Sequence, residues 1–295
     1  MAELRTPRRR RLRPGLTDAI ILSALLGFAA LAVVARRKVP SWPLVAAADA
    51  GAAGLYAIAV RVSGRLGSRS AAALVRVATV CGALAYLFSA AAPLQHVLHA
   101  GWLDARLIAI EQAAFGVQPT TWLQAITTPW LTEWMMFAYV AYLALYPAVC
   151  TTLWRRGGEP LLEPALAALT VANVACDVGF VVLPVAGPMA FMGDTYTVPL
   201  AGWAFTTLGE LIRTKLHYVG GSLPSPHCAA ATVLWLAAWR GARGLAIALV
   251  PLVLTLLVAT VYCRFHYASD AVSGVAVGFM ALYVVKVCNS AAGAT

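Results

Sequence analysis

Eight apolar stretches, most of them about twenty residues long, dominate the sequence and constrain what it can fold into. A helix rises about 1.5 Å per residue, so about 20 residues cross the roughly 30 Å hydrocarbon core of a bilayer. The pattern predicts an all-α, polytopic membrane bundle of about eight transmembrane helices, in which the sixth stretch is short for a full crossing. The stretches lie at roughly 16–35, 42–61, 71–92, 130–153, 162–184, 225–240, 244–262 and 267–287.

The composition supports a membrane protein and excludes several other classes. Charged residues make up only 12% of the 295 residues and hydrophobic residues 61%, whereas soluble domains usually carry about 25% charged residues. The net charge of +10 comes largely from arginines at the N-terminus and in short connections. That distribution is typical of topogenic charge and contact with anionic lipids, so we expect no nucleic-acid partner. The six cysteines are scattered without a CxxC pair, and we expect neither metal nor cofactor.

The apolar stretches divide into two parts. We expect residues 1–70 to form a basic cytoplasmic N-terminus with two accessory transmembrane helices, and residues 71–295 to form a six-helix catalytic core. Within that core, residues 93–128 mix charged and apolar side chains at helical spacing. This mixture predicts an interfacial amphipathic helix.

The distribution of cations predicts the orientation in the membrane. With the N-terminus in the cytoplasm, the cytoplasmic connections carry the excess of arginine, although Arg36-Arg37-Lys38 lies on the opposite side. By parity, the starts of the sixth and eighth helices then share the extracytoplasmic face. The cytoplasmic cations are Arg5, Arg8, Arg9, Arg10, Arg11, Arg13, Arg61, Arg65, Arg69, Arg155, Arg156, Arg240 and Arg243.

Two polar motifs stand at the starts of those two helices. One is Pro224-Ser225-Pro226-His227, and the other is Arg264-Phe265-His266-Tyr267-Ala268-Ser269-Asp270. On a helix, the spacing of four residues places the Asp270 carboxylate beside the His266 imidazole. A carboxylate that holds one ring nitrogen leaves the other to attack or to accept a proton. Polar groups at membrane depth are costly, so their pairing indicates chemistry, with a structural hydrogen-bonded pair as the alternative.

These motifs, with Ala271-Val272-Ser273-Gly274 after the second, resemble the second and third signature motifs of the type 2 phosphatidic acid phosphatase superfamily. The wording is most similar to its inositol phosphorylceramide synthase-like branch, and the similarity covers roughly residues 71–288. The resemblance implies metal-independent phosphoryl transfer through a phosphohistidine. In that mechanism His266 attacks phosphorus, Asp270 orients its ring, and His227 protonates the leaving oxygen.

The first motif of the resemblance departs from the family pattern. The matching stretch is Pro184-Val185-Ala186-Gly187-Pro188-Met189, with methionine where an arginine is expected. Losing a bidentate cation weakens phosphate binding, and Arg264 is a candidate to replace it. The full set of candidate phosphate-binding residues is Arg264, Ser225, Lys215, Arg213 and Gly187.

Three functions stay open on the sequence. The leading one is an integral-membrane lipid phosphatase or phosphotransferase that hydrolyses a lipid phosphate ester at the outer membrane interface. The second is a synthase that moves a phospho-alcohol group from a phospholipid to a second lipid or alcohol, and the third is a transporter with a His/Asp relay. We expect a lipid phosphate or phospholipid substrate and, from the Ala- and Arg-rich composition, a bacterial inner membrane. The sequence sets no oligomeric state.

Overall fold

The computed structural model describes residues 15–215 and 217–293, and all regular structure in these ranges is helical. Short 3₁₀ turns at Ala92–Leu94, Leu123–Ile126 and Gly193–Thr195 join some of the helices. The arginines predicted to orient the N-terminus, Arg5 to Arg13, lie outside the described residues. The helices are α1 Leu16–Val34, α2 Trp42–Ser63, α3 Arg69–Ala91, α4 Asp104–Phe115, α5 Pro119–Trp122, α6 Pro129–Gly157, α7 Glu159–Val182, α8 Pro188–Phe191, α9 Ala204–Lys215, α10 Pro226–Gly241, α11 Arg243–Tyr262 and α12 Ala268–Gly293.

Seven of the described helices are long and apolar enough to cross a membrane: α1, α2, α3, α6, α7, α11 and α12. The prediction of a polytopic helical membrane bundle is therefore confirmed. The sixth predicted span is α10, which has only 16 residues and falls short of that length. The segment 93–128, predicted as one interfacial helix, contains α4 and α5 separated by Gly116, which takes a left-handed conformation.

Helix α10 lies at the centre of the core, against α6, α7, α11 and α12. Its first half is rich in small residues, and Ala229, Ala230 and Ala231 are fully buried. Within a bilayer the hydrophobic effect does not favour helix association, so close packing contributes much of the stability. Small side chains allow neighbouring backbones to approach closely. A short helix with a small-residue surface can thus be enclosed by four longer ones.

A buried ionic network joins helices α1 and α2 to α3 and α7. Arg76 of α3 donates to Asp18 of α1 and, at 3.0 Å, to Glu163 of α7. Tyr56 of α2 donates to Asp18 at 2.7 Å. Since an isolated charge at membrane depth is expensive, the two carboxylates and one guanidinium compensate each other. The network lies near the starts of α3 and α7, at the end of the bundle opposite the two histidines.

Two glycines bring α12 into direct contact with α10. A Cβ on Gly274 would overlap the Ser225 carbonyl oxygen, and a Cβ on Gly278 would lie 2.7 Å from the Ala229 carbonyl oxygen. Their spacing of four residues places both on one face of α12, as in other close helix pairs in membranes. The two helices run in the same direction because α11 returns the chain between them. Their starts, which carry His227 and His266, therefore lie side by side.

We predict that Gly274→Ala separates the starts of α10 and α12, because a backbone carbonyl cannot move aside as a side chain can. A displacement of about 1 Å at a reacting group costs up to about 100-fold in rate, so turnover per folded molecule should fall at least about tenfold. Gly82→Ala is the matched control, since a Cβ at Gly82 of α3 meets nothing within 4 Å. Equal turnover and melting temperature of the two purified variants would contradict this account of the packing.

Candidate active site

The two histidines of the sequence motifs meet at one end of the bundle. His227 lies in the first turn of α10, and His266 lies in the turn before α12. The Nδ1 atom of His227 is 3.2 Å from the Nε2 atom of His266, and the ring centroids are 5.4 Å apart. The two motifs, 39 residues apart in the chain, thus share one site.

The surroundings of His266 determine which ring nitrogen carries the proton. Its Nδ1 atom is 3.0 Å from the Ser222 carbonyl oxygen. A carbonyl oxygen can only accept, so Nδ1 is the N–H donor. In a neutral ring, Nε2 then carries the lone pair and accepts from His227 Nδ1–H. His266 therefore presents a nucleophilic nitrogen toward a proton donor.

Asp270 lies beside His266, but for a different reason from the predicted one. His266 precedes α12 and is not helical, so the helical spacing argument is wrong. Asp270 stands in the first turn of α12 and accepts from the Tyr267 N–H at 2.9 Å, as in a helix cap. Its Oδ2 atom is 3.6 Å from His266 Nδ1, which is an electrostatic contact rather than a hydrogen bond. The carboxylate can stabilise a positive charge on the ring.

Ser222 completes this network, and the sequence analysis missed it. Its hydroxyl donates to Asp270 Oδ2 and lies 3.3 Å from His266 Nδ1, while its carbonyl accepts from the same ring. One residue thus holds both the imidazole and the carboxylate. The signal in the sequence is Gly220-Gly221, two residues with positive φ that turn the chain immediately before Ser222.

Aromatic rings enclose His227. Tyr139 stacks on it at 4.7 Å between centroids, and Tyr142 lies at 4.9 Å. A third imidazole, His217, stacks at 6.0 Å, and its Nε2 atom lies 3.4 Å from the Tyr139 hydroxyl. Burial, and then the nearby His266, lower the pKa of His217 to about 4. His217 is therefore neutral at neutral pH.

Two of the predicted phosphate-binding residues have structural partners. Ser225 caps α10, with its hydroxyl accepting from the Cys228 N–H at 3.4 Å. Its own N–H donates to the Asp270 carbonyl oxygen at 3.0 Å, which ties the two motifs together. The Gly187 N–H donates to Asp104 at 3.0 Å. Because these N–H groups are already used, neither can bind phosphate through its amide without breaking a bond.

The three predicted phosphate-binding cations, Arg264, Arg213 and Lys215, differ in their contacts. Arg264 takes a left-handed conformation (φ 63°) at the end of α11, and the Phe265 N–H bonds back to the Thr260 carbonyl at 3.1 Å. This is a Schellman turn, in which a non-glycine residue costs about 1 kcal/mol. The Arg264 side chain donates to the Val198 carbonyl and lies 4.2 Å over the Tyr196 ring. Arg213 pairs with Glu210 on α9, and Lys215 is exposed at the end of that helix.

Helix α4 contributes two further acidic residues, which the sequence analysis included in the segment 93–128 without assigning them to the site. Asp104 accepts from Ala186 N–H (2.8 Å), Gly187 N–H (3.0 Å) and the Tyr267 hydroxyl (2.9 Å). Burial raises the pKa of Asp104, while these donors lower it, and the net shift is upward. Glu111 accepts from the Ser269 N–H at 2.7 Å and hydroxyl at 2.8 Å. Both acids thus hold the segment that carries His266.

The site is closed as it stands. His266 is 2% exposed and Asp270 is fully buried. An attacking nitrogen about 3 Å from phosphorus, with a hydrogen bond of about 2.8 Å to the leaving oxygen, places two ring nitrogens roughly 6 Å apart or more. The observed 3.2 Å is shorter than that. The two imidazoles are thus too close in this structure to hold a phosphorus atom and a leaving oxygen between them.

One of three comparisons with known proteins found a match. The family model described as "PAP2 superfamily" matches residues 105–284, from α4 to α12, which is more than half of the chain. No curated protein and no solved structure matches the chain. The chain therefore belongs to the PAP2 superfamily, which indicates phosphatase or phosphotransferase activity in a membrane protein.

Proposed function

We propose that this protein is an integral-membrane lipid phosphatase or phosphotransferase that acts through a phosphohistidine on His266. The observation that carries the proposal is the hydrogen bond of His266 Nδ1 to the Ser222 carbonyl, which leaves Nε2 as a nucleophile facing His227. A nucleophile needs an adjacent proton-transfer group and a third group to orient it. His266, His227 and the Ser222–Asp270 pair supply these three parts.

The chemistry follows from the positions of these groups. The Nε2 lone pair of His266 forms a bond to phosphorus while the bond to the ester oxygen breaks, and a proton from protonated His227 goes to that oxygen. The phosphorylated ring carries positive charge, which Asp270 stabilises from 3.6 Å. In the second step His227 removes a proton from water or an alcohol, whose oxygen attacks phosphorus and releases His266. Acid and base roles thus alternate on one residue.

The charge around the site favours a substrate with few negative charges. Met189, at the start of α8, replaces the arginine expected from the family pattern. The Arg264 side chain contacts Val198 and Tyr196, so it has to reorient or act from a distance to bind phosphate. A phosphodiester carries one negative charge and a phosphomonoester up to two. This difference supports the alternative function, in which a phospho-alcohol group moves from a phospholipid to a second alcohol.

Hydrolysis nevertheless remains our leading assignment, because water needs no dedicated acceptor site. We place the site at the extracytoplasmic interface of a bacterial inner membrane, with the N-terminus in the cytoplasm. Arg155, Arg156, Arg240 and Arg243 support this orientation, since they lie at the ends of helices opposite the histidines. Residues 71–295 form the catalytic core in this proposal, and residues 1–70 are accessory.

We predict that His266→Ala and Asp270→Asn lower turnover at least about 1,000-fold, because one removes the nucleophile and the other its compensating charge. The measurement uses phosphatidic acid and, separately, a phosphodiester phospholipid, each labelled on phosphorus, with protein reconstituted in vesicles. Free labelled phosphate indicates hydrolysis, while label on a second lipid or alcohol indicates transfer. Unchanged turnover in folded His266→Ala would exclude this mechanism and leave a transport function to be considered.

His227→Ala should depend on the leaving group. General-acid catalysis contributes about 100- to 10,000-fold, and an oxygen that leaves readily needs less protonation. We therefore expect a large loss with alkyl phosphates and a small loss with aryl phosphates such as p-nitrophenyl phosphate. Equal losses for both kinds of ester would contradict the role of His227 as the acid.

Met189→Arg should improve binding of phosphomonoesters. A charge-assisted bidentate hydrogen bond contributes about 1.5–3 kcal/mol, which corresponds to a KM for phosphatidic acid about 10- to 100-fold lower. Met189→Gln, which adds polarity without charge, is the control. If Met189→Arg leaves KM at the wild-type value, the missing arginine does not limit phosphate binding.

A further inference from the structure

We propose that Asp104 and Glu111 of α4 are positioning residues that hold the His266 segment in its reactive geometry, an inference that rests on the proposed function. Each carboxylate binds a residue close to the nucleophile: Asp104 binds Tyr267, and Glu111 binds Ser269. The two acids are seven residues apart, which is two helical turns, so they project from one face of α4. That face meets residues 267–269 between His266 and Asp270.

Asp104 joins two segments that are distant in sequence. Besides the Tyr267 hydroxyl, it binds the N–H groups of Ala186 and Gly187, in the connection that follows α7. Asp104 is fully buried, so each of these donors would be left unsatisfied if it were lost. Gly187 in turn lies against the site, because a Cβ there would be 3.4 Å from the Phe265 carbonyl oxygen. Asp104 thus holds both Tyr267, next to His266, and residues 186–187, which lie against the same segment.

Glu111 performs a related task at the start of α12. Its Oε1 atom accepts from both the N–H and the hydroxyl of Ser269, which lies in the first turn. The first N–H groups of a helix have no partner within the helix and need an external acceptor. An acid on α4 supplies it here, and this bond fixes the direction in which the first turn of α12 leaves His266. The orientation of Asp270, one residue later, depends on that direction.

The burial pattern of α4 indicates that these contacts are its main attachment. Only Asp104, Leu107 and Glu111 are buried among its 12 residues. Leu107 packs with Val185 and Tyr267, the same two segments that Asp104 binds. A helix that buries one leucine and two acids gains little from apolar area, so the carboxylates determine where it docks. Every buried residue of α4 therefore faces the site rather than a remote part of the bundle.

Amide variants separate positioning from folding. Asp104→Asn keeps the size but has one acceptor oxygen where three donors converge, and Glu111→Gln loses the charge that holds Ser269. Tyr267→Phe removes the same hydrogen bond from its other end with no change of charge. We expect each variant to lower kcat about 10- to 100-fold with KM for phosphatidic acid unchanged within about twofold. Asp104 and Tyr267 share one hydrogen bond. We therefore expect the double variant Asp104→Asn/Tyr267→Phe to lower kcat about as much as Asp104→Asn alone, rather than by the product of the two single losses.

The chain offers a control pair between α2 and α3, away from the two histidines. Asp49 of α2 is buried and accepts from the hydroxyl of half-buried Tyr86 of α3 at 2.8 Å, so this pair also forms an acid–tyrosine hydrogen bond between two segments. Asp49→Asn and Tyr86→Phe should lower the melting temperature while leaving kcat per folded molecule at the wild-type value. Tyr86→Phe and Tyr267→Phe each remove one acid–tyrosine hydrogen bond, and of the two tyrosines it is Tyr267 that lies next to His266.

The readout is single-turnover formation of phosphoenzyme together with the melting temperature of each purified variant in detergent. A slower phosphorylation step in the α4 and Tyr267 variants, but not in the Asp49 and Tyr86 variants, supports positioning. A wild-type phosphorylation rate in folded Asp104→Asn or Tyr267→Phe would overturn the positioning role. Losses of activity that are fully explained by a smaller folded fraction would also overturn it. If Asp104→Asn does not fold, Tyr267→Phe and Glu111→Gln decide. Absence of phosphoenzyme in the wild-type protein would instead refute the proposed function itself.

Discussion

The backbone contact between α10 and α12 is the constraint on which the rest of the structure depends. Gly274 and Gly278 let α12 approach within contact distance of the Ser225 and Ala229 carbonyls. Since the helices run in the same direction, this approach aligns their first turns, and the Ser225 N–H donates to the Asp270 carbonyl across the gap. A larger residue at either glycine would separate the two histidines. The chemistry proposed for the site is thus a consequence of helix packing within the membrane.

The polar network at the start of these helices is built around one neutral acceptor. The Ser222 carbonyl fixes the tautomer of His266, while Asp270 lies farther away and is held by Ser222 and Tyr267. The carboxylate is therefore available to stabilise positive charge that develops on the ring, rather than being committed to a hydrogen bond with it. Buried polar networks of this kind are rigid only when they are satisfied. The acids of α4 supply acceptors for the neighbouring donors.

Periodicity and motif order were enough to predict the helical bundle and the meeting of the two histidines. Each apolar stretch became a helix, and parity placed His227 and His266 at one end of the bundle. The roles of Asp104 and Ser222 could not be predicted, because their bonds to Tyr267 and Asp270 span 163 and 48 residues. Gly220-Gly221 indicates a turn before Ser222 but not the distant residue that Ser222 contacts. The helical argument for Asp270 was wrong for a local reason, since α12 begins two residues after His266.

Arg264, in the motif that contains His266, is a second case in which residue spacing did not predict a side-chain contact. Its position beside His266 in the sequence suggests a phosphate ligand, yet the left-handed turn at Arg264 directs the chain so that its side chain meets Val198 and Tyr196. Side-chain direction at a helix end depends on backbone conformation, which the spacing of residues does not encode. Its role in phosphate binding therefore stays a prediction.

The central claim is that His266 becomes covalently phosphorylated during turnover. The most direct measurement is rapid quenching of the wild-type protein with phosphatidic acid labelled on phosphorus, followed by peptide mapping under alkaline conditions, in which phosphohistidine survives. The account predicts label on the peptide containing His266, lost on acid treatment and absent in His266→Ala. Label on another residue, or full turnover by folded His266→Ala, would contradict it.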